Sequence, residues 1–363
     1  MSARTGTDSG ISIVIPTWNG LALLDHFLPS VIAAAGQHAK QKSCQVEIIV
    51  VDDGSADGSV EWLRARGFSE RGSSDDNPSL RLLMNKSNLG FGRACNRGIE
   101  SARFGLVLLL NNDVEIEEDC IGSLAENFQD ASVFAAHCRV IDARSGIECG
   151  TGKLGGFARG FIRVHRSYIT VDGGPGVHSK TPLYSMFAGG GASMFDRSKF
   201  MAMGGFDEIY SPFYWEDVEL SYRGWKRGYS VVYEPGAVAH HKISSTIGAL
   251  DPGKVRRIQQ RNRLLYHWIN LHDRGLMFSH IAWVILLALS APIRLQPGFL
   301  LSLANAVARM PIVLKRRREE RDAAKRTDKE LFSIFRALER APGIVAYDRH
   351  EELLQDAIRI VQN

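Results

Sequence analysis

Apolar residues in the first 140 positions fall into short unbroken runs separated by longer amphipathic stretches. The runs are ISIVI (11–15), VEIIVV (46–51), LRLLM (80–84), GLVLLL (105–110) and VFAAHCRVI (133–141). Strands that are apolar throughout, instead of alternating, are buried on both faces. Between them LALLDHFLPSVIAA (21–34), a short stretch from about Val60, and FGRACNRGIESAR (91–103) carry helical spacing. Strand and helix in alternation predict right-handed βαβ units and a mostly parallel sheet flanked by helices. SERGSSDDNPS (69–79) reads as a surface loop, and residues 142–182, rich in glycine and poor in periodicity, as an irregular excursion. Regular structure resumes with a strand over 187–195, helices over 197–203 and 216–227, and a strand over 230–234.

The last third has a different pattern. Residues 254–272 set basic side chains beside Leu264, Leu265, Trp268 and Leu271 at helical spacing. LMFSHIAWVILLALSA (276–291) is apolar for 16 residues, short of the roughly 20 that a membrane span needs. GFLLSLANAVARMPIVL (298–314) aligns Leu300, Leu303, Val307, Met310 and Leu314 on one helical face and runs into the basic KRRR of 315–318. An apolar face beside clustered Arg and Lys is the pattern of a helix lying in a membrane interface. Residues 319–363 read as charged soluble helices. The expected division is an α/β domain over 1–250, with halves at about 11–140 and 183–250, and a basic helical module over 251–363.

Charge supports that division. The chain has 363 residues and a net charge of +4, but residues 251–340 hold 18 Lys and Arg against 8 Asp and Glu, while residues 1–250 are net acidic. A basic module of this kind faces an anionic surface. Its apolar neighbours, and the lack of an aromatic-rich RNA motif or zinc finger, favour a membrane over nucleic acid. The five cysteines are scattered, with no C-x-x-C pair. That fits neither a disulfide framework nor a zinc site, and it fits a reducing compartment. The polar N-terminus has no apolar leader segment. The expected location is cytoplasmic, peripheral on the inner face of the membrane.

Polar residues collect just past the strands: Thr17 and Asn19 after the first, Asp52 and Asp53 after the second, Asn111, Asn112 and Asp113 after the fourth. Asn, Asp and Gly populate any turn. Three such corners on one edge of a parallel sheet lie where open α/β sheets bind ligands. No G-x-G-x-x-G follows the first strand and no G-x-x-x-x-G-K-[ST] occurs, which argues against dinucleotide-binding and P-loop folds. Asp113 can hold a hard divalent cation against a diphosphate, since Mg²⁺ takes one or two carboxylates and fills its other sites with phosphate and water.

IVIPTWNG, VVDDGSADGS, NKSNLGFGRACNRGI, LLLNNDVEI and GGFDEIYSPFYWEDVELSYRGWKRGY occur in this order over roughly residues 11–245. Together they resemble family 2 glycosyltransferases of the GT-A fold, most nearly the rhamnosyltransferase-like branch. The resemblance implies an inverting, metal-dependent transfer from a nucleoside-diphosphate sugar, dTDP-rhamnose by branch, to a hydroxyl of a saccharide or lipid-linked saccharide in cell-surface polysaccharide synthesis. By the same resemblance Pro16, Thr17, Asn19 and Asp53 cradle the nucleotide, with Asp53 accepting from the base, and Asn88, Gly90, Arg93 and Asn96 line its pocket. Asn111, Asn112 and Asp113 stand at the family's D-x-D position, with Asn in place of the first Asp. Asp113 and His240 would contact Mn²⁺ or Mg²⁺, with His241 the alternative to His240. Gly189, Gly190 and Gly191 lie near the sugar and acceptor. Glu216 and Asp217 match the acidic pair at a helix start. Glycosyl transfer needs a base for the acceptor proton, and Asp217 is the candidate, with Glu216 orienting the acceptor. Other partners expected are the membrane surface and a possible second copy of the chain. The competing readings are a sugar-phosphate nucleotidyltransferase, whose basic glycine-rich loop PTWNG does not supply, and a membrane-docked binding protein without catalysis.

Overall fold

A computed structural model describes residues 10–73, 75–170, 182–242, 251–293 and 296–348. The first half runs β1 (Gly10–Thr17), α1 (Leu21–Lys42), β2 (Gln45–Asp52), α2 (Ser59–Ala65), β3 (Ser79–Met84), α3 (Phe91–Ser101), β4 (Leu106–Leu110), β5 (Val114–Ile116), α4 (Cys120–Glu126) and β6 (Val133–Asp142). The five apolar runs all form strands. Helix α1 continues past the expected end at residue 34, and Lys40 and Lys42 stand in its last turn, where the helix dipole favours positive charge.

The chain continues with β7 (Glu148–Gly150), β8 (Gly152–Ala158), β9 (Phe161–Thr170), β10 (Ala192–Asp196), α5 (Arg197–Ala202), α6 (Glu216–Lys226) and β11 (Ser230–His241). It closes with α7 (Pro252–Asn270), α8 (Arg274–Ser290), α9 (Pro297–Val307), α10 (Met310–Ala323), α11 (Asp328–Glu339) and β12 (Ile344–Tyr347).

Nine strands form the main sheet in the order β3-β2-β1-β4-β10-β6-β11-β5, with β7 on β6. The β3-β2-β1-β4 half is parallel, β6 and β11 are parallel, and β10 lies antiparallel between β4 and β6. Successive side chains point to opposite faces of a strand. Ile11, Ile13 and Ile15 therefore join a core under α1, α2 and α4. Val14 joins a second core on the other face, with α3, α5, α6, α7 and α11.

Five sequence expectations are corrected. The region 142–182 is ordered as β7, β8 and β9, with 171–181 outside the described residues. Strands β8 and β9 form a second sheet with β12. The glycines that suggested irregularity make room for distant side chains: a Cβ on Gly152 would lie 2.1 Å from the Tyr168 ring, and one on Gly155 3.0 Å from Phe335 of α11. The strand expected over 187–195 begins only at Ala192, and that expected over 230–234 runs to His241. In the C-terminal third the single face expected over 298–314 is broken at Ala308 and Arg309, with α9 and α10 bent by 66°. Residues 344–347, expected to be helical, form a strand, and 349–363 lie outside the described residues.

Among the described residues no single helix is long and apolar enough to cross a membrane. Helix α8 is held on the body by His280, whose Nδ1 lies 2.7 Å from the Gly160 carbonyl. Its opposite side exposes Phe278, Ile281, Ile285 and Leu289.

Candidate active site

The carboxyl ends of β1, β2 and β4 meet at one corner. Pro16 lies inside β1 opposite Val51, and Thr17 lies opposite Asp52. The Thr17 hydroxyl accepts from the Asn112 amide at 2.9 Å. Asn19 accepts from the Ala56 N–H at 2.9 Å, and its own N–H donates to Ser55 at 2.8 Å. Asp52 accepts the Gly54 and Ser55 N–H groups. The corner is a loop system tied together by its own side chains.

Asp53 is 4% exposed. Its carboxylate accepts from the Asn85 amide at 2.6 Å, from the Leu89 N–H at 3.0 Å, and from the Gly90 N–H at 2.9 Å. In this arrangement it pins the 85–90 loop. Asn88 accepts from the same Gly90 N–H at 3.0 Å. Arg93 is on the surface, paired with Glu208 at 2.6 Å. Asn96 makes two hydrogen bonds with the Phe206 backbone, at 2.8 and 2.9 Å, and so ties α3 to the turn before the acidic pair.

Asp113 is buried at the start of β5. The register of β11 sets its two histidines on opposite sides. The His241 Nε2 lies 3.0 Å from the Asp113 carboxylate, while His240 turns to Glu117 at 3.1 Å. The histidine beside Asp113 is thus His241, and His240, the one preferred from the sequence, faces Glu117. A carboxylate and an imidazole are suitable donors for a divalent cation. Among the described residues no cluster of three or more His, Cys, Asp or Glu could hold a metal alone. A cation here would need oxygen ligands from a bound diphosphate.

Gly189, Gly190 and Gly191 bridge this corner to the acidic pair. The Asn111 N–H donates to the Gly191 carbonyl at 2.8 Å, and the Gly190 N–H donates to Asp217 at 3.2 Å. A Cβ on Gly191 would lie 3.0 Å from the Asn111 amide, and one on Gly190 3.0 Å from the Phe91 ring. A Cβ on Gly189 would meet nothing within 4 Å, so this turn borders open space.

Glu216 and Asp217 open α6. Glu216 is buried and its Oε2 has no hydrogen-bond partner. Burial, and after it the charge of Asp217, pushes Glu216 up to about 8. Burial also raises Asp217, against the N–H groups of Val218 and Gly190 and the charge of Lys153. Two adjacent carboxyls resist ionising together, and Glu216 is the one that holds its proton near neutrality. Asp217, with hydrogen-bond donors and a lysine beside it, is the member suited to carry the charge.

Two contributors were missed in the sequence. Lys153 stands on β8, in the stretch read as irregular. Asn262 of α7 is fully buried and its amide reaches the carbonyls of Tyr210, Phe213 and Tyr214 at 2.6, 3.1 and 2.8 Å. The next residues, Tyr214 and Trp215, have φ of 71° and 81°, values that cost energy in a non-glycine residue. Asn262 holds the strained turn that delivers Glu216 and Asp217. Lone polar residues in a helical pattern carry no sequence signal for such a role.

Residues 12–175 match the family described as Glycosyl transferase family 2. Over 116 residues the chain is 34% identical to an undecaprenyl-phosphate 4-deoxy-4-formamido-L-arabinose transferase of Aeromonas hydrophila, covering 32% of each protein. The chain spans about a third to a half of the length of the first curated relatives that it matches. Among solved structures it is similar to Staphylococcus aureus TarS 1–349 in complex with UDP-GlcNAc, with a TM-score of 0.52 and 13% identity over 94% of this chain and 97% of that one. It is also similar to GalNAc-T7 with UDP, GalNAc and Mn²⁺, with a TM-score of 0.53 and 17% identity over 72% of this chain and 48% of that one. The fold is GT-A-like: an α/β architecture with a mostly parallel sheet flanked by helices, followed by a C-terminal helical region.

Proposed function

We propose that this chain is a family 2 glycosyltransferase that moves a sugar from a nucleoside-diphosphate donor to a hydroxyl of a saccharide or lipid-linked saccharide. The observation that carries the reading is the adjacent carboxyl pair Glu216–Asp217, bonded through Gly190 and Gly191 to the Asn111–Asp113 corner. The donor lies along the carboxyl ends of β1, β2 and β4. Asn111, Asn112 and Asp113 face its diphosphate, and Asp113 and His241 would hold Mn²⁺ or Mg²⁺ there. When bound, the cation would supply positive charge against the leaving diphosphate.

Asp217 takes the proton from the acceptor hydroxyl as that oxygen attacks the anomeric carbon. Glu216, still protonated near neutrality, donates a hydrogen bond that orients the acceptor. The open side of the Gly189 turn leaves room for the sugar. One attack assisted by one base inverts the anomeric configuration. The motif order favours a rhamnosyltransferase-like enzyme with dTDP-rhamnose as donor, acting in cell-surface polysaccharide synthesis.

The protein works at the cytoplasmic face of the membrane as a peripheral protein. The exposed apolar sides of α8, α9 and α10, next to Lys315, Arg316 and Arg318, support that location. The name of the Aeromonas relative supports a lipid-linked acceptor.

Incubating the purified full chain with a panel of nucleotide sugars and Mn²⁺ or Mg²⁺ tests the activity. Nucleoside-diphosphate release from one donor, stimulated by metal, is expected. Release from none of them, with or without a lipid-linked acceptor, would contradict it.

A further inference from the structure

A cleft of about 180 Å³ opens between α7, α8 and α9 and the β8–β9 turn, lined by Phe161, Gln260, Arg263, Leu287, Gln296 and Phe299 among others. That is room for a phosphate or diphosphate group. The Arg263 guanidinium stacks 4.0 Å above the Phe161 ring. Among the described residues it has neither a carboxylate partner nor a hydrogen bond through its N–H groups. Burial, and after it the charge of Arg163, lowers its pKa to about 10. Arg163 gives one N–H to the Ala158 carbonyl at 2.9 Å, and its buried Nε has no partner. Among the described residues, two neighbouring arginines thus sit partly out of water without an anion, and half-buried charge left unpaired is costly.

The cleft lies under the exposed apolar surface. One of its walls is Leu287 of α8, and the outer side of that helix carries Phe278, Ile281, Ile285 and Leu289. On α9, Leu300 and Leu301 are exposed as well. From Arg274 to Arg318 there are 45 residues with seven basic side chains and no carboxylate. An apolar surface on a segment whose only charged side chains are basic complements a lipid with an anionic head. On its other side, α7 connects to the reaction site: Asn262, the residue before Arg263, holds the turn into Glu216 and Asp217.

We propose that this cleft binds the phosphate or diphosphate of a lipid-linked acceptor, with Arg263 as its main contact and the lipid chain lying along the outer side of α8. The site rests on the glycosyltransferase reading for its role, though not for its binding chemistry. It would hold the acceptor lipid at its head and present the attached sugar toward Asp217. Arg263 serves better than lysine because its planar fork meets two phosphate oxygens at once.

The test is flotation of the full chain with three kinds of phosphatidylcholine vesicle: alone, with polyprenyl phosphate, and with phosphatidylglycerol at equal charge. Binding to polyprenyl-phosphate vesicles is expected to exceed binding to phosphatidylglycerol vesicles. Arg263→Gln should weaken the former by about tenfold, the effect of one lost charge-assisted contact, and leave the latter unchanged. Arg263→Lys should lose part of the preference, which guards against a folding defect in the glutamine variant. Inorganic pyrophosphate should compete only weakly, because it has no chain to bury. Equal binding to both anionic vesicles in the wild type, or equal loss from both in the variant, would overturn the site and leave membrane docking standing. Complete competition by pyrophosphate would reassign it to a free anion. Donor turnover without acceptor, measured on the same samples, separates failure of this site from failure of the glycosyltransferase reading.

Discussion

Asp53 and Glu216 are both buried carboxyls, 4% and 8% exposed, yet their surroundings differ. Asp53 accepts from Asn85, Leu89 and Gly90, so the cost of its burial is met by hydrogen bonds that shape a loop. Glu216 has an oxygen without a partner and Asp217 beside it, and it keeps its proton to about 8. The first arrangement builds a site. The second leaves a titratable group beside a second carboxyl. In the proposed reaction the Asp53 corner is a scaffold held by satisfied side chains, and the α6 corner would supply the reactive groups.

The largest effect that separates the two corners is on rate. Asp217→Asn should lower transfer by about 10²–10⁴-fold and leave nucleoside-diphosphate affinity within a few-fold. Paired kinetics and calorimetry check both halves, and loss of affinity equal to the loss of rate would place Asp217 in binding instead. Asp53→Ala should do the reverse. It strands the Leu89 and Gly90 N–H groups and should cost about 2–4 kcal/mol of stability, together with donor affinity, as read by denaturation and calorimetry. A variant as stable as wild type would mean that the loop holds itself.

Glu216→Gln sharpens the contrast through pH. The folded value of about 8 lies above the ordinary glutamate value of 4.5, so the folded protein holds more protons between them. Wild-type stability therefore falls as pH rises through that window. The glutamine variant lacks this loss and should gain about 3–4 kcal/mol relative to wild type between pH 5 and pH 8. Thermal denaturation at both values measures it, and a constant difference would show that Glu216 ionises normally. The smallest expected effect concerns the two histidines. His241→Ala should weaken the Mn²⁺ dependence of donor binding by about tenfold, the loss of one ligand or its support, and His240→Ala should not. Titrating Mn²⁺ against each variant distinguishes them, and equal effects would remove the distinction that the β11 register draws.

What was legible in the sequence follows the same division. The strands buried on both faces announced themselves as unbroken apolar runs, and the corners at their carboxyl ends as Asn and Asp clusters. The missed features depend on distant parts of the chain. Glycines in β8 look like loop residues until Tyr168 and Phe335 pack over them. His240 and His241 are equivalent in the sequence, because a strand sends neighbours to opposite faces and only the pairing with β5 and β6 decides which one meets Asp113. Asn262 and Lys153 act on residues in other elements, and no local pattern marks them.

In the proposed reaction Glu216 and Asp217 share one proton, with Asp217 ionised to act as the base. The pH–rate profile of donor turnover in wild type and Glu216→Gln tests it. The wild-type rate should rise at a pH above the ordinary aspartate range, because Asp217 is raised, and fall near 8 as Glu216 loses its proton. In the glutamine variant the falling limb should disappear. A wild-type profile flat from acid to pH 9, or a falling limb that survives the substitution, would contradict it.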